Sequence, residues 1–503
     1  MRMLSKSKYQ TGLQCPRALW RSMHAPETAD PVTETQQWIF DQGSEIGRLA
    51  QALFPGGTEV TEDHRQRAQA LKSTCHLMES GERILYEPAF QFDDVLVRVD
   101  ILVRVDGASD SDEAGSGLWD FYEVKSATSL KSQFVTDAAI QTYVLEGAGL
   151  QVRRASVIHI DSSYMFDGNS HDPVKLFAVS DVTEAARAHM LEVPAILGDL
   201  KRMLAGDEPA VRIGSQCSSP YRCTFFGHCH AFLPAENPIT NLPRLSEKAL
   251  HLLIDNGIYS IKDIPAGFPG LTQRQNAVVE VVREGRPQVN VSAITAELRS
   301  LTWPVYHLDF ETVMPALPLW PGTRPYEAVP VQYSVHVHHD DGSIEHREFL
   351  AEAGEDPRLT LAERLLIDLG ESGSIVHYSP YERRILAGLS DWFPHLRTQF
   401  AGVEKRLFDL EKIVRANLRH PMDCGRTSIK YVLPAWCPDL SYDGLEVRDG
   451  QTASVRYLRM VLGGMTEEEA KALRRDLLEY CKLDTYATVR LLEELLRLAK
   501  GRA

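Results

Sequence analysis

The stretch LWDFYEVKSA, residues 118–127, is apolar enough to run through a core yet carries a glutamate and a lysine two positions apart. In an extended chain alternate side chains share a face, so Phe121, Glu123 and Lys125 point one way and Tyr122 and Val124 the other. Such a pair is either an edge-strand ion pair or part of a catalytic group, and its surroundings decide. Upstream, ILYEPAF (84–90) and VLVRVDILVRVD (95–106) read as strands on either side of a short Asp93-Asp94 turn, which puts Asp100 in a strand. A Gly/Ser/Asp-rich loop at 107–117 leads into LWDFYEVKSA. Helices are predicted over 36–54, where Ile39, Ile46, Leu49, Ala50 and Leu53 recur at helical spacing, over about 63–80 and over about 132–146. A further strand lies in RRASVIHID (153–161). Helices and strands in this order predict an α/β core over roughly residues 30–180.

The chain has 503 residues with 44% apolar content, enough for two or three domains. A formal charge of −15 argues against binding nucleic acid by bulk attraction and leaves only a local basic track, such as Arg2, Lys6, Lys8, Arg17 and Arg21 near the N-terminus. Eight cysteines are too few for a disulfide scaffold, and no stretch resembles a secretory signal or a membrane span. The expectation is a cytoplasmic protein whose reduced thiols are available to metals.

Two acids and a lysine on neighbouring strands can bind Mg²⁺ and prepare a water for attack on a phosphodiester, with the lysine countering charge that develops on the phosphate. Asp100, Glu123 and Lys125 are that set. The GSEIGRLA helix (43–50), RVDIL (98–102), the Glu123-Val124-Lys125 triplet and DAAIQTYVL (137–145) together resemble the PD-(D/E)XK nuclease superfamily, in particular its RecB/Cas4-like branch. The resemblance implies a restriction-endonuclease-like fold, metal on Asp100 and Glu123, an assisting Lys125, and a helix bearing Gln141 and Tyr143 beside the site. Glu45 stands near the family's helical acidic or histidine position, although the usual G-x-x-x-H pattern is absent.

CSSPYRCTFFGHC, residues 217–229, spaces Cys217, Cys223 and Cys229 by five residues each, without the C-x₂-C interval common at zinc sites. Cys15, in QCPRALW, is the remote fourth candidate, and His228 and His230 are alternative nitrogen ligands. One cysteine near the N-terminus and three far downstream resemble the arrangement by which Cas4 and AddB nucleases hold a 4Fe-4S cluster. The resemblance implies such a cluster on Cys15, Cys217, Cys223 and Cys229, with structural Zn²⁺ as the alternative.

Between 236 and 300 the chain reads as a helical connector. LLIDNGIYSIKDIP (252–265) suggests a small helix-turn-helix, and a helix-hairpin-helix grip on a nucleic-acid backbone is the functional option there. A second α/β domain, over 301–503, opens at WPVYHLDFET (303–312), where Asp309 and Glu311 lie on one face of an apolar strand. Burying both without a cation would be costly. Strands around 329–337 and 374–378 follow, with helices over 359–369, 381–390, 408–418 and 466–496. Glu382 opens a helix after a strand, and Tyr480 and Asp484 lie four apart on one helical face. Four acids could hold two Mg²⁺ or Mn²⁺ ions, with Tyr480 positioning or deprotonating a water.

This set resembles the DnaQ-like, DEDD exonuclease branch of the RNase H fold. Asp309 and Glu311 match its D-x-E, Glu382 its second acid (more usually aspartate), Asp484 its terminal aspartate, and Tyr480 the tyrosine of the DEDDy subtype. Asp409 is an added acid that could equally cap a helix. Ser428 and Lys430 resemble the family's S-x-K segment. The order of RecB-like domain with cysteine cluster (1–235), connector (236–300) and DnaQ-like domain (301–503) resembles bacterial proteins of the DUF2779 type. The expectation is a divalent-metal-dependent nuclease acting on DNA, with RNA and further DNA-processing proteins as other partners and a second, 3′-5′ exonuclease-like centre. The alternative is a nucleic-acid-binding scaffold with one or both centres inactive.

Overall fold

A computed structural model describes residues 3–63, 65–105 and 117–501, so the Gly/Ser/Asp-rich loop lies, up to residue 116, outside the described residues. The fold is mixed α/β and divides into two compact units, one of residues 1–230 with 315–326 and the other of residues 231–314 with 327–503. Residues 236–300 therefore pack with the strands that follow them.

The first unit begins with β1 (Leu4–Ser5) and the helices Lys6–Gln14, Pro16–His24 and Glu34–Gln51. β2 (Thr58–Glu59) precedes the helix Arg67–Glu79, and β3 (Ile84–Tyr86), β4 (Ala89–Phe92), β5 (Val95–Arg98), β6 (Ile101–Val105) and β7 (Leu118–Lys125) follow. The helix Ser132–Gly147 then joins β7 to β8 (Gln151–Ile160), before β9 (Phe177–Asp181). A mixed six-stranded sheet has the order β2-β3-β6-β7-β8-β9, with β7 and β8 parallel around that crossover helix. β1, β5 and β4 form a separate three-stranded sheet.

VLVRVDILVRVD is thus not continuous: its first half belongs to the small sheet and its second to the large one, and Asp100 sits in the break. The cause lies across the ladder, where ILYEPAF breaks at Glu87-Pro88. Proline has no N–H to give a central ladder. Glu87, at φ 56°, donates its N–H to the Asp100 carbonyl at 3.2 Å, and Val99 donates to the Pro88 carbonyl at 3.1 Å. Both chains change sheets at one point, and Glu87 and Asp100 stand there.

In the second unit, β10 (Gln288–Val289) pairs with β16 (Leu418–Arg419). The five-stranded sheet has the order β13 (Ile344–Leu350), β12 (Val329–His338), β11 (Val305–Val313), β14 (Ser374–His377), β15 (Leu407–Asp409). On one face Tyr306, Leu308, Phe310, Tyr333, Val335 and Val337 pack against Leu361, Leu365, Ile385 and Leu389. The other face is polar at one end and is covered by the helix Glu467–Ala499, which a Thr466–Glu469 capping box opens. Four polar side chains of that face have a partner on the helix. Gln332 donates to the Leu477 carbonyl at 2.9 Å, Ser334 and His336 meet the Thr485 hydroxyl at 2.7 and 2.8 Å, and His307 meets the Thr488 hydroxyl at 2.9 Å. Buried polar groups cannot go unpaired cheaply, so these contacts fix the rotation of the helix about its axis and with it the direction of Tyr480 and Asp484.

The predicted 359–369, 381–390, 408–418 and 466–496 helices are Arg358–Asp368, Pro380–Trp392, Leu410–Asn417 and Glu467–Ala499. The helix-turn-helix reading of 252–265 is corrected. Helix Glu247–Asp255 ends before Gly257 (φ 70°), and the second element is only a 3₁₀ turn, Ile261–Asp263. Ile261 and Ile264 are fully buried in a local core instead of extending a helix. Helices Arg397–Lys405 and Gly450–Val461 and strand β13 were not anticipated. Among the described residues no helix is long and apolar enough to cross a membrane.

Candidate functional site

In the first unit the kink brings Asp100 beside β7. The Val124 amide donates to Asp100 Oδ2 at 2.6 Å, and Glu123, 2% exposed, lies at the same level. Lys125 reaches Glu123 Oε1 and Asp137 Oδ2, both at 2.6 Å, while Gln141 donates to Glu123 Oε2 at 2.8 Å. Lys6, from the N-terminal helix, spans both Glu123 oxygens at 2.7 and 2.8 Å and stands 3.7 Å from Asp137. Asp100, Glu123, Lys125 and Gln141 therefore converge as expected, joined by Lys6, Asp137 and Glu87, which sequence reasoning missed. Tyr143 and Glu45 do not join them. The Tyr143 hydroxyl donates to Asp93 at 3.1 Å because its helical position turns it toward the β4–β5 turn, and Glu45 is exposed, with His171 in its field.

Electrostatics in this pocket divide the acids. Burial would raise Glu123, but Lys125 and Lys6 more than offset it and hold the carboxyl well below its usual range. Burial and the Glu123 charge push Asp100 up to about 8, against the pull of the lysines. Asp137 is also raised, first by burial and then by Glu123. Replacing Lys6 by Met is expected to destabilise the protein by about 3 kcal/mol or less, since Lys125 keeps part of the compensation for the buried charge. Lys6→Met combined with Glu123→Gln should recover most of that loss in urea unfolding. A double variant no more stable than Lys6→Met alone would contradict the pairing.

Four thiols meet elsewhere in the same unit. Cys15, which ends one helix and precedes Pro16 of the next, clusters with Phe225, Cys223 and Cys229; Cys223 lies in the field of Cys15, Cys217 and Cys229, and Cys229 in that of Cys15 and Cys217. Gln14 fastens the segment by donating to the Gln216 and Tyr221 carbonyls at 2.8 and 2.7 Å. The Phe225 amide points at Cys223 Sγ at 3.4 Å, Arg17 faces Cys229 and Cys15, and His230 Nδ1 is occupied by the Phe226 carbonyl at 2.8 Å. A soft, thiol-only donor set fits either an iron–sulfur cluster or zinc. Tetrahedral zinc holds its thiolates ~3.8 Å apart, from bonds of ~2.3 Å. No three of these sulfurs lie within 4.8 Å of one another.

The second unit gathers the other predicted acids. Asp309 and Glu311 project from β11 under the C-terminal helix, whose Asp484 and Tyr480 meet them. Oxygens of Asp309, Glu311 and Asp484 all lie within 4.8 Å of one another, the one such group of three metal-capable side chains among the described residues. They line a cavity of about 460 Å³ with Glu382, Glu411, Ser428, Lys430 and Tyr480. Three hard oxygen donors fit Mg²⁺ or Mn²⁺. Glu382 is outside the three-oxygen group. It contacts Asp309, but its Oε2 accepts from the Ser379 hydroxyl at 2.9 Å and stands 3.9 Å from His377. Asp409 is a helix cap: its carboxylate accepts the Lys412 amide at 2.9 Å, and it does not line the cavity.

Three contributors escaped sequence reading. Tyr442 donates to Asp484 Oδ1 at 2.5 Å, Glu411 accepts from Thr427 at 2.8 Å, and Gly450 opens a helix against Glu311. A Cβ at Gly450 would stand only 3.2 Å from Glu311 Oε2, so glycine lets a helix N-terminus approach the carboxylate. None lies at a fixed spacing from the residue it serves, and no local pattern announces them.

Burial raises Asp309, Glu311, Glu382 and Asp484, and repulsion adds to it at Asp309 and Glu311. Asp309 lies well above its ordinary value, through burial and then Asp484, Glu311 and Glu382. Burial and Asp484, with Asp449, take Glu311 up to about 8 despite Lys430, and burial takes Glu382 up to about 7. Burial likewise raises Asp484, although Tyr442, Tyr480 and Lys430 pull it down. A carboxyl raised on folding favours the native state below its unfolded pKa, and that contribution disappears as pH rises through the folded value. Several buried histidines, His336 among them at about 3, act oppositely, but only as pH falls below about 6.5. Between pH 7 and 9 the acids dominate. The cation-free protein is expected to lose melting temperature across this window, and the rise produced by Mg²⁺ should grow with pH, by about tenfold in affinity per unit for each proton displaced. Glu311→Gln should flatten both trends in scanning fluorimetry; an unchanged Mg²⁺ response would contradict this.

A domain described as a domain of unknown function (DUF2779) is present at residues 306–428. The match takes in Asp309, Glu311 and Glu382 and ends before Lys430, Tyr480 and Asp484. No curated protein matches the chain.

Proposed function

We propose that the protein is a divalent-metal-dependent nuclease whose main hydrolytic centre is the carboxylate cavity of the second unit, with a DnaQ-like exonuclease arrangement. The observation that carries this reading is the convergence of Asp309, Glu311 and Asp484 oxygens within 4.8 Å at half-buried positions where their repulsion is uncompensated by any closely paired lysine. Mg²⁺ or Mn²⁺ held there would supply Lewis acidity and an acidified water. Asp309 and Glu311 hold their positions through the strand ladder, and Asp484 through the Tyr442 hydroxyl.

Tyr480 is a positioning group. Burial and the charges of Asp484, Glu311 and Asp309 raise its hydroxyl above the ordinary tyrosine range, so it keeps its proton and orients a water by donating or accepting a hydrogen bond, without acting as base. Lys430 Nζ, 3.3 Å from the Tyr480 oxygen and donating to the Arg448 carbonyl at 2.6 Å, is the cation nearest a departing phosphate. The test is cleavage of 3′- and 5′-end-labelled single-stranded and duplex DNA and RNA with Mg²⁺, Mn²⁺ or EDTA. No cation-dependent cleavage of any of them would overturn the reading.

In the same reading the first unit carries a second, PD-(D/E)XK-like centre on Asp100, Glu123 and Lys125, and Cys15, Cys217, Cys223 and Cys229 would hold a 4Fe-4S cluster, which when bound would tie Cys15 to residues 217–229. One observation favours an inactive, scaffold-like version of that centre. Lys6 and Lys125 together neutralise Glu123, taking the place that a cation would use. Cleavage that survives Asp309→Asn but vanishes in Lys125→Ala would assign activity to the first unit and remove the scaffold reading.

A further inference from the structure

Beside the carboxylate cavity, and sharing Thr427 with it, lies a second cavity of about 470 Å³ lined by Arg274, Arg415, Arg419 and Arg426. We propose that it is a phosphate-binding site that holds the sugar–phosphate backbone of a single nucleic-acid strand next to the acids; this inference rests on the nuclease reading.

Four elements converge to build it. Arg274 lies in the first turn of the helix Gln273–Glu284, whose start is set by a Thr272–Gln275 capping box. Arg415 comes from the helix Leu410–Asn417, Arg419 from β16, and Arg426 from the turn that follows. The one carboxylate in the wall, Asp423, does not cancel them. It is 3% exposed, and its two oxygens accept the His420 and Gly425 amides at 2.9 and 2.8 Å within its own turn. Arg426 is held flat by stacking 3.7 Å over the Tyr431 ring and by donating to the Asp423 carbonyl at 3.0 Å. Arg415 stands 3.7 Å from Glu411, whose carboxylate lines the neighbouring acid cavity. The side chains of Arg274 and Arg419 make no hydrogen bond or ion pair among the described residues.

Four guanidinium groups around one cavity, in a chain of net charge −15, are a local reversal of sign, and their cost is self-repulsion. An anion removes that cost. Arginine's planar fork pairs with two phosphate oxygens at once, which lysine cannot do, and there is no lysine in this wall. A cavity of this volume takes a backbone segment but not the width of a duplex. Its shared wall with the acids is what a strand needs if one phosphate is to lie among the carboxylates, since those acids repel it and neighbouring phosphates must be gripped elsewhere.

The test uses the full chain carrying Asp309→Asn, in EDTA, so that binding is read without cleavage. A 5′-fluorescein oligothymidylate is titrated by anisotropy at several salt concentrations. Arg274→Ala with Arg419→Ala removes two unpaired side chains and, by relieving their repulsion, should not lower the melting temperature. Affinity is expected to fall at least about fivefold, and the slope of log K against log salt to become shallower by about 1.4, the value for two lost phosphate contacts on a single strand. Arg283→Ala, on the same helix but outside the cavity wall, should change neither. An unchanged slope in the double variant overturns the proposal, as does equal competition by polyglutamate and oligothymidylate at matched charge. Arginine-dependent binding without cleavage by the protein carrying native Asp309 would instead overturn the hydrolytic reading and leave this site standing.

Discussion

Asp309→Asn is expected to lower cation-dependent cleavage of a labelled strand by on the order of 10³-fold, and at the same time to raise the melting temperature of the cation-free protein. The two effects have one cause. Asp309 sits among Asp484, Glu311 and Glu382, and burial and their charges both oppose its ionisation, so at pH values where it is charged the folded chain bears the repulsion of an acid cluster that could hold a cation. Asparagine keeps the shape and removes the charge. It relieves the cation-free state and deprives Mg²⁺ of a ligand, so the melting-temperature rise on adding Mg²⁺ should shrink as well. A purely structural role for Asp309 predicts the reverse in EDTA, a loss of stability. Cleavage that persists undiminished in this variant, with Lys125→Ala also active, would remove both proposed centres.

Cys15→Ser is expected to strip the iron and sulfide from anaerobically purified protein and to lower its melting temperature. A cofactor bound only to the native state contributes RT ln(1 + [L]/Kd), about 4 kcal/mol when its level is a thousandfold above Kd. The loss should also be felt at a distance. Helix Lys6–Gln14 runs from Lys6, on Glu123, to Cys15, among the thiols, so freeing one end loosens the other. Faster hydrogen exchange across residues 4–24 in Cys15→Ser, and in Cys217→Ser, would report it. Protein that contains zinc and no iron would replace the cluster by its alternative while keeping the mechanical argument. Wild-type protein purified anaerobically with neither metal would end it.

Which parts were legible follows from the range of the interactions involved. Period-two alternation marked Asp309 and Glu311 because Leu308 and Phe310 beside them are apolar and buried, and the four-residue step from Tyr480 to Asp484 is a helical fact that needs no partner. Glu382 and the thiols were readable through order along the chain. Lys6, Tyr442 and Glu411 act across long separations that leave no trace in their own surroundings. Lys6 looked like part of a basic track and is instead mostly enclosed between Glu123 and Asp137. The break at Asp100 was hidden for another reason. Alternation in VLVRVDILVRVD passes through it undisturbed, and its cause, Pro88, is on the facing chain.

The segment 315–326 leaves β11 just after Glu311, enters the first unit and returns to begin β12. Ala316 is buried there beside Ile46 and Ile160, and the Tyr326 hydroxyl donates to the Ser126 carbonyl at 2.9 Å, next to Lys125. The polypeptide consequently changes compartment three times, after residues 230, 314 and 326. No single cut of the gene yields two whole halves: a fragment ending near residue 235 would be born with a hole where Ala316 and Tyr326 belong, so neither unit can be traded or expressed as a free-standing module.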